Sequence, residues 1–286
     1  MSAPTYRPRY LTARDGLSLF YRDYDAGSRA NRVPALCLSG LTRNSADFDR
    51  LARRLMPSRR VVALDYRGRG LSERAPDAST YDPTVYLDDI RQLMAAAGLH
   101  RAVVLGTSLG GLLAMALGVA APTTVAAVIL NDVGPVIEAD GLSELRKILS
   151  RNEPQPDWPS AIAHLRNVLP DLSLTSDGDW LEFAKATYRE DSDGLLRFDW
   201  DPRIIQALDT KHSAIPDLWP IFNSLKRVPT LAIRGGRSRV FQAETLDAMR
   251  ARHPGLETLT LEQVGHAPSL DEPETRKAID DFLRYL

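Results

Sequence analysis

Ala102-Val103-Val104-Leu105-Gly106-Thr107-Ser108-Leu109-Gly110-Gly111 is the stretch that decides the fold. Ala102 to Leu105 is a short continuous apolar run, the mark of a strand covered on both faces. Leu112 to Ala120 continues it as an apolar helix. A strand that becomes a helix within so few residues tolerates only small neighbours, which accounts for the glycines at both ends of the turn. Such a turn holds the Ser108 hydroxyl clear of the backbone. It also aims the N-terminus of the helix at any negative charge developing there. The alternative is a glycine-rich strand–helix turn in which Ser108 is a spectator.

The same alternation extends outward from this stretch. Leu17 to Tyr21 alternates like a half-exposed strand, while Pro34 to Leu38, Arg60 to Leu64 and Val125 to Leu130 are continuous buried runs. Ala46 to Met56 and Val85 to Ala97 carry apolar residues at helical spacing, and Gly98 stops the second. Past residue 220 come the strand Thr230 to Ile233, a helix from Ala243 to Arg252, the strand Glu257 to Leu261 and a closing helix from Glu274 to Leu286. Repeated strand–helix units with apolar strands predict an α/β fold, a mostly parallel central sheet flanked by helices. The pattern fails between Gly134 and Pro220, which has no convincing buried strand but holds Trp158, Trp180, Phe183, Tyr188, Phe198, Trp200 and Trp219. A helical cap over 134–220, inserted into a core domain of 1–133 and 221–286, is the expected organisation.

Composition narrows the function. The chain has 286 residues, 44% of them hydrophobic, enough for one sizeable core. Its 36 basic and 37 acidic residues give a formal charge of −1, with no basic stripe, so nucleic acid is not an expected partner. Cys37 is the only cysteine, which excludes an intramolecular disulfide and a thiolate zinc site. It sits in an apolar run and reads as a small buried hydrophobe. Met1 to Arg14 lacks the apolar stretch of a secretory signal, and no run approaches the roughly 18 apolar residues of a membrane span. A cytoplasmic protein without membrane contact is expected.

A serine hydroxyl needs a base to take its proton. His266, in Gln263-Val-Gly-His-Ala-Pro268, follows the last expected strand, and ligands gather at strand C-terminal ends in such sheets. It is the candidate base. His100, His164, His212 and His253 fall on helix ends or in the cap and read as surface or packing residues, with His164 and His212 as candidate cap contacts.

Leu38-Ser-Gly-Leu41, Asp65-Tyr-Arg-Gly-Arg-Gly70, Gly106 to Gly111, Leu130-Asn-Asp-Val-Gly-Pro135 and Val264-Gly-His266 occur in that order over nearly the whole chain. Together they resemble the α/β-hydrolase superfamily, in particular its cap-bearing bacterial esterase and carbon–carbon-bond hydrolase branch. The resemblance implies an oxyanion hole formed by the backbone N–H groups of Leu41 and Leu109, although Ser39-Gly40 stands where histidine-glycine is usual. Asp65 to Gly70 reads as a structural tight turn. The family usually carries its catalytic acid in the loop after the strand that follows the cap. Here that loop is Gly235-Gly-Arg-Ser-Arg-Val240, with Arg239 at the acid's place. An arginine cannot accept from an imidazole N–H. Asp132, closing the strand next to the nucleophile's in sequence, is the candidate replacement, as in some members of the superfamily. The alternatives are that Asp132 braces the turn into Gly134-Pro135, that Asp271 or Glu244 is the acid, or that there is none. Arg239 is then a solvated loop charge, a contact for a substrate carboxylate or cap residue, or a substitution of an ancestral aspartate.

The expected reaction is acyl transfer through Ser108 on a small-molecule carboxylic ester or lactone with an apolar acyl or aryl part. No metal and no organic cofactor is implied, and the chain is expected to be a monomer or homodimer. Two alternatives stand beside it. One is carbon–carbon-bond hydrolysis of dienoate ring-fission products. The other is a retired hydrolase scaffold that binds or senses a small molecule.

Overall fold

The computed structural model describes residues 5–25, 32–138, 143, 153–205 and 217–286. The first two strands, β1 (Arg7–Thr12) and β2 (Ser18–Tyr24), form an antiparallel pair at the sheet edge. β1 is largely exposed, and Pro8 sits in it at no cost to an inner ladder because the edge strand needs no donor on its open side. The polar character of the first fourteen residues hides this strand from a search for buried runs. The core units follow as β3 (Ala35–Leu38), α1 (Asp49–Leu55), β4 (Val61–Leu64), α2 (Pro83–Ala96), β5 (Ala102–Thr107), α3 (Leu109–Ala120) and β6 (Val125–Asn131). Asp82 caps α2 by accepting from Thr84 N–H, and Pro83 occupies the first helical position, where no N–H is needed.

Between β6 and the next strand of the main sheet lies an insert. It contains α4 (Trp158–Val168), α5 (Asp177–Thr187), a small antiparallel hairpin of β7 (Tyr188–Glu190) and β8 (Leu196–Phe198), and α6 (Trp219–Asn223). Beside its helices the insert thus carries a hairpin that the sequence did not announce: three-residue strands are too short to show as buried runs, yet the hairpin stacks Tyr188 on Phe198 at 4.8 Å and Phe198 on Trp200 at 5.6 Å. The chain returns with β9 (Thr230–Gly235), α7 (Ala243–Arg252), β10 (Leu256–Leu261) and α8 (Pro273–Phe282).

The eight strands of the main sheet lie in the order β1-β2-β4-β3-β5-β6-β9-β10, parallel from β4 onward. Alternate residues of the buried strands feed two cores. Leu36, Val62, Val104, Val128 and Ala232 face a layer containing Ile90 of α2, Leu113 of α3 and Met249 of α7. Cys37, Ala63, Val103, Ile129 and Ile233 face Leu51 of α1 and Ile279 of α8. Burial pushes the Cys37 thiol up to about 12, so it is inert at neutral pH. Among the described residues no helix is long and apolar enough to cross a membrane.

The strand order also fixes where chemistry gathers. From β3 the chain moves to β4 on one side, then crosses back to β5 on the other. The loops after β3 and β5 therefore part at a topological switch point, where a crevice opens at the C-terminal ends of the strands.

Candidate active site

Ser108 stands in that crevice at the junction of β5 and α3, with φ 51° and ψ −116°. A residue other than glycine held there carries strain, of order 1–3 kcal/mol, that its surroundings must overdetermine. They do so by close approach. A Cβ on Gly106 would collide with the Gly110 backbone, and one on Gly110 with the Leu38 carbonyl. The tight turn thus seats the first turn of α3 against the end of β3. Ser108 N–H donates to the Asn131 carbonyl at 3.0 Å, tying the turn to β6.

His266 comes from the loop after β10. Its ring is bracketed on both sides: Nε2 lies 3.1 Å from Ser108 Oγ, and Nδ1 lies 2.6 Å from Asp132 Oδ2. A carboxylate only accepts, so the imidazole proton sits on Nδ1 and Nε2 is free to accept from the serine hydroxyl. The loop is pinned by Gly265 N–H donating to the Asp171 carbonyl of the insert at 2.7 Å. Asn131 Nδ2 adds a donor to the Pro268 carbonyl at 2.9 Å. Asn131 also donates to Thr107 Oγ1 at 3.1 Å, so a single buried amide links β5, β6 and the histidine loop.

Asp132 follows β6 directly, with φ 54° and no solvent exposure. Its second oxygen accepts from Gly235 N–H at 2.7 Å, and its own N–H donates to the Ile233 carbonyl at 2.8 Å. The carboxylate is therefore held by the last residue of β9 on one side and meets His266 on the other. The structure brings Ser108, His266 and Asp132 into one line. It does not bring in the other acids: Asp271 pairs with Arg50 and Arg276, and Glu244 is exposed in the first turn of α7. Arg239 is exposed and does not line the cavity above Ser108, which removes it as a contact for a substrate carboxylate there.

Leu109, directly after Ser108, and Leu41 are the residues whose amides the sequence offered as oxyanion donors. Leu109 opens α3, where amides have no preceding helical carbonyl to bond. The loop of Gly40 and Leu41 borders the cavity, and a Cβ built on Gly40 would lie 3.9 Å from Ser108 Cβ. Asp65 to Gly70 is a structural turn, as expected: buried Asp65 accepts from Ser45 N–H at 2.6 Å and Leu71 N–H at 2.9 Å. Of the other histidines, His100 is exposed, His253 is buried with Nε2 3.1 Å from the Val228 carbonyl, and His164 packs near Phe198 in the insert. His212 lies outside the described residues. Among the described residues no group of three or more His, Cys, Asp or Glu could hold a metal ion.

A cavity of about 900 Å³ opens over Ser108 and His266. Its far wall is the insert, including Leu165, Leu169, Phe183, Phe198 and Trp200. The insert's aromatics thus divide between two tasks, with Phe183, Phe198 and Trp200 meeting the cavity while Trp180 and Tyr188 are buried in packing. Arg43 is among the polar wall residues that sequence reasoning missed. Its guanidinium lies over Phe183 at 4.2 Å and bonds Asp47 and Thr187.

A serine turn, a histidine after the last strand and a mostly parallel sheet are what one hydrolase family combines, and the chain belongs to it: residues 34–273 match the alpha/beta hydrolase fold family. The protein is a hydrolase. It is similar to an alpha/beta hydrolase of Novosphingobium aromaticivorans, with 41% identity, a TM-score of 0.93 and 100% of each chain covered. It is also 29% identical to the 3-hydroxybutyrate-oligomer hydrolase of Cupriavidus necator, over 87% of this chain and 88% of that protein. The 2-(acetamidomethylene)succinate hydrolase of Mesorhizobium japonicum is 28% identical, over 87% of each.

Proposed function

We propose that the chain is a serine esterase, acting on small carboxylic esters or lactones with an apolar acyl or aryl part through an acyl-enzyme. The observation that carries this is the uninterrupted line from Asp132 Oδ2 through His266 to Ser108 Oγ, with contacts of 2.6 and 3.1 Å. Ser108 Oγ bonds to the carbonyl carbon, its proton passes to His266 Nε2, and the carbonyl π pair moves onto oxygen. The Leu41 and Leu109 amides receive that oxyanion; one such donor is typically worth about 10²–10³ in rate. As the oxyanion collapses, the bond to the leaving alkoxide breaks and His266 returns the proton to it. Water then loses a proton to His266 and its oxygen attacks the acyl carbon. Ser108 leaves with that proton, releasing the acid.

The insert acts as a cap over residues 134–220, its apolar side chains selecting the acyl or aryl part. The hydrolysis of 3-hydroxybutyrate oligomers by the Cupriavidus relative supports an ester bond as the target. The retired-scaffold alternative rested on a missing acid; the 2.6 Å contact of Asp132 Oδ2 with His266 Nδ1 supports the esterase reading over it. The ring-fission alternative drew on Arg239, which does not border the cavity; a substrate carboxylate there would instead meet Arg43 or Arg50.

A fluorophosphonate probe tests this reading. It is expected to label the wild type and not Ser108→Ala, and p-nitrophenyl esters are expected to be hydrolysed with the same dependence on Ser108. A wild type that neither labels nor turns over esters removes the esterase assignment.

A further inference from the structure

Arg67 and Arg69 sit two residues apart in the Asp65–Gly70 turn, and both are 1% exposed. They are held in opposite ways. Arg67 grips Asp89 through two bonds of 2.8 Å and Asp15 through one of 2.6 Å. Arg69 meets only neutral acceptors: the Leu41 carbonyl at 2.7 Å, the Arg67 carbonyl at 2.8 Å and the Tyr86 hydroxyl at 3.0 Å. Among the described residues it has no carboxylate partner, and its Nη2 is buried without a hydrogen-bond partner. Its guanidinium lies 4.8 Å from the Tyr86 ring centre and 5.5 Å from that of Tyr66. A buried cation without a counter-ion is costly, and aromatic faces and carbonyls offset only part of that cost.

The carbonyls it helps to hold are those of the loop beside Ser108. Three consecutive ones are fixed. The Ser39 carbonyl accepts from the Tyr66 hydroxyl at 3.3 Å, the Gly40 carbonyl from Arg43 N–H at 3.1 Å and the Leu41 carbonyl from Arg69 Nε at 2.7 Å. A peptide unit is planar, so each carbonyl bond orients the amide N–H of the next residue. The Leu41 N–H shares its plane with the Gly40 carbonyl, and that plane is clamped between two neighbours locked by Tyr66 and Arg69.

We propose that Arg69, with Tyr66, is a positioning residue for the oxyanion hole, resting on the esterase reading above. Arg69 fixes the amide path around Leu41 and places behind it a positive charge that no carboxylate among the described residues pairs. A negative charge comes to face it when the tetrahedral intermediate forms. Its effect therefore falls on the intermediate more than on bound substrate.

Steady-state kinetics on an aryl ester, combined with inhibition by an aryl trifluoromethyl ketone, test this. The ketone's adduct with Ser108 carries an oxyanion, whereas the carboxylic acid product does not. Arg69→Gln is expected to lower kcat by on the order of 10²-fold and weaken ketone binding by a similar factor. KM and product affinity should remain within about twofold, a split that simple loss of packing does not give. Arg69→Lys, which keeps the charge but not the planar donor fork, is expected to recover part of both losses. Unchanged ketone affinity in Arg69→Gln, or equal weakening of ketone and product, overturns the proposal. If Arg69→Gln does not fold, Arg69→Lys and Tyr66→Phe carry the test, both with kcat and ketone affinity reduced together at constant KM. Full ketone affinity in those two variants overturns it equally. A wild type that forms no ketone adduct fails the esterase reading itself, whereas a wild-type adduct that Arg69 variants leave intact fails only this inference.

Discussion

Asp132 directly follows β6 and Arg239 lies in the loop after its neighbour β9, and their chemistry is opposite. A buried carboxylate that already accepts from Gly235 N–H needs a second donor, and His266 Nδ1 is that donor. Under the proposed relay, Asp132→Asn turns an acceptor into a group that can donate, favouring the wrong imidazole tautomer. We expect kcat on p-nitrophenyl butyrate to fall by about 10³–10⁴-fold while the fold is retained. Near wild-type turnover in that variant would take Asp132 out of the relay. Arg239 should be indifferent by comparison, since it is exposed and away from the cavity.

At the scale of elements, the turn at the end of the insert's hairpin carries a second consequence. Burial pushes the Asp199 carboxyl up to about 6, and Asp65 adds to that rise; Arg189, Arg74 and Arg43 oppose it without cancelling it. The ordinary value is 3.8, so folding takes up a proton between roughly pH 4 and 6. The neutral acid's contribution to stability is present below that window and lost as pH rises through about 6. Denaturant titrations should therefore show Asp199→Asn gaining on the wild type by on the order of 1–3 kcal/mol between pH 4 and pH 7. A constant difference across that range would contradict the shift. The hairpin also marks the limit of what sequence patterning reveals. Strands such as Val125–Asn131 announce themselves because both faces are covered, and Ser108 and His266 because their neighbours fit a tight turn and a strand end. Asp132 was legible only as one option among several, since which carboxylate reaches His266 depends on the β6–β9 pairing. Arg69, Tyr66 and Asn131 were not legible at all. Their contacts are with backbone carbonyls distant in sequence, and no periodicity records those.

Over the whole molecule, one residue joins parts that the chain keeps far apart. Arg50 of α1 contacts Asp179 at 2.6 Å and Glu182 at 2.6 Å in the insert, and Asp271 at 3.3 Å beyond the histidine loop. Its side chain is 43% exposed, so the cluster is screened and adds little to global stability. Its effect should instead appear in how firmly the insert is held over the cavity. Arg50→Ala is expected to raise KM roughly two- to fivefold, the equivalent of about 0.5–1 kcal/mol, with little change in kcat. High ionic strength should bring the wild type toward the variant and leave the variant nearly unaffected. Equal salt responses in the two proteins would show that the cluster does not hold the insert.

The Gly235–Asp132 bond sets an order on the making of the molecule. A ribosome releases β5, Ser108 and Asp132 long before β9 and His266, yet the buried Asp132 carboxylate has both its partners in those late segments. Until they emerge, the half-made sheet cannot close around that charge without leaving it unsatisfied. Until then Ser108 has no His266 beside it and Asp132 neither of its two side-chain contacts. Docking of β9 brings the first of those partners, Gly235 N–H, and β10 with the loop after it then brings His266.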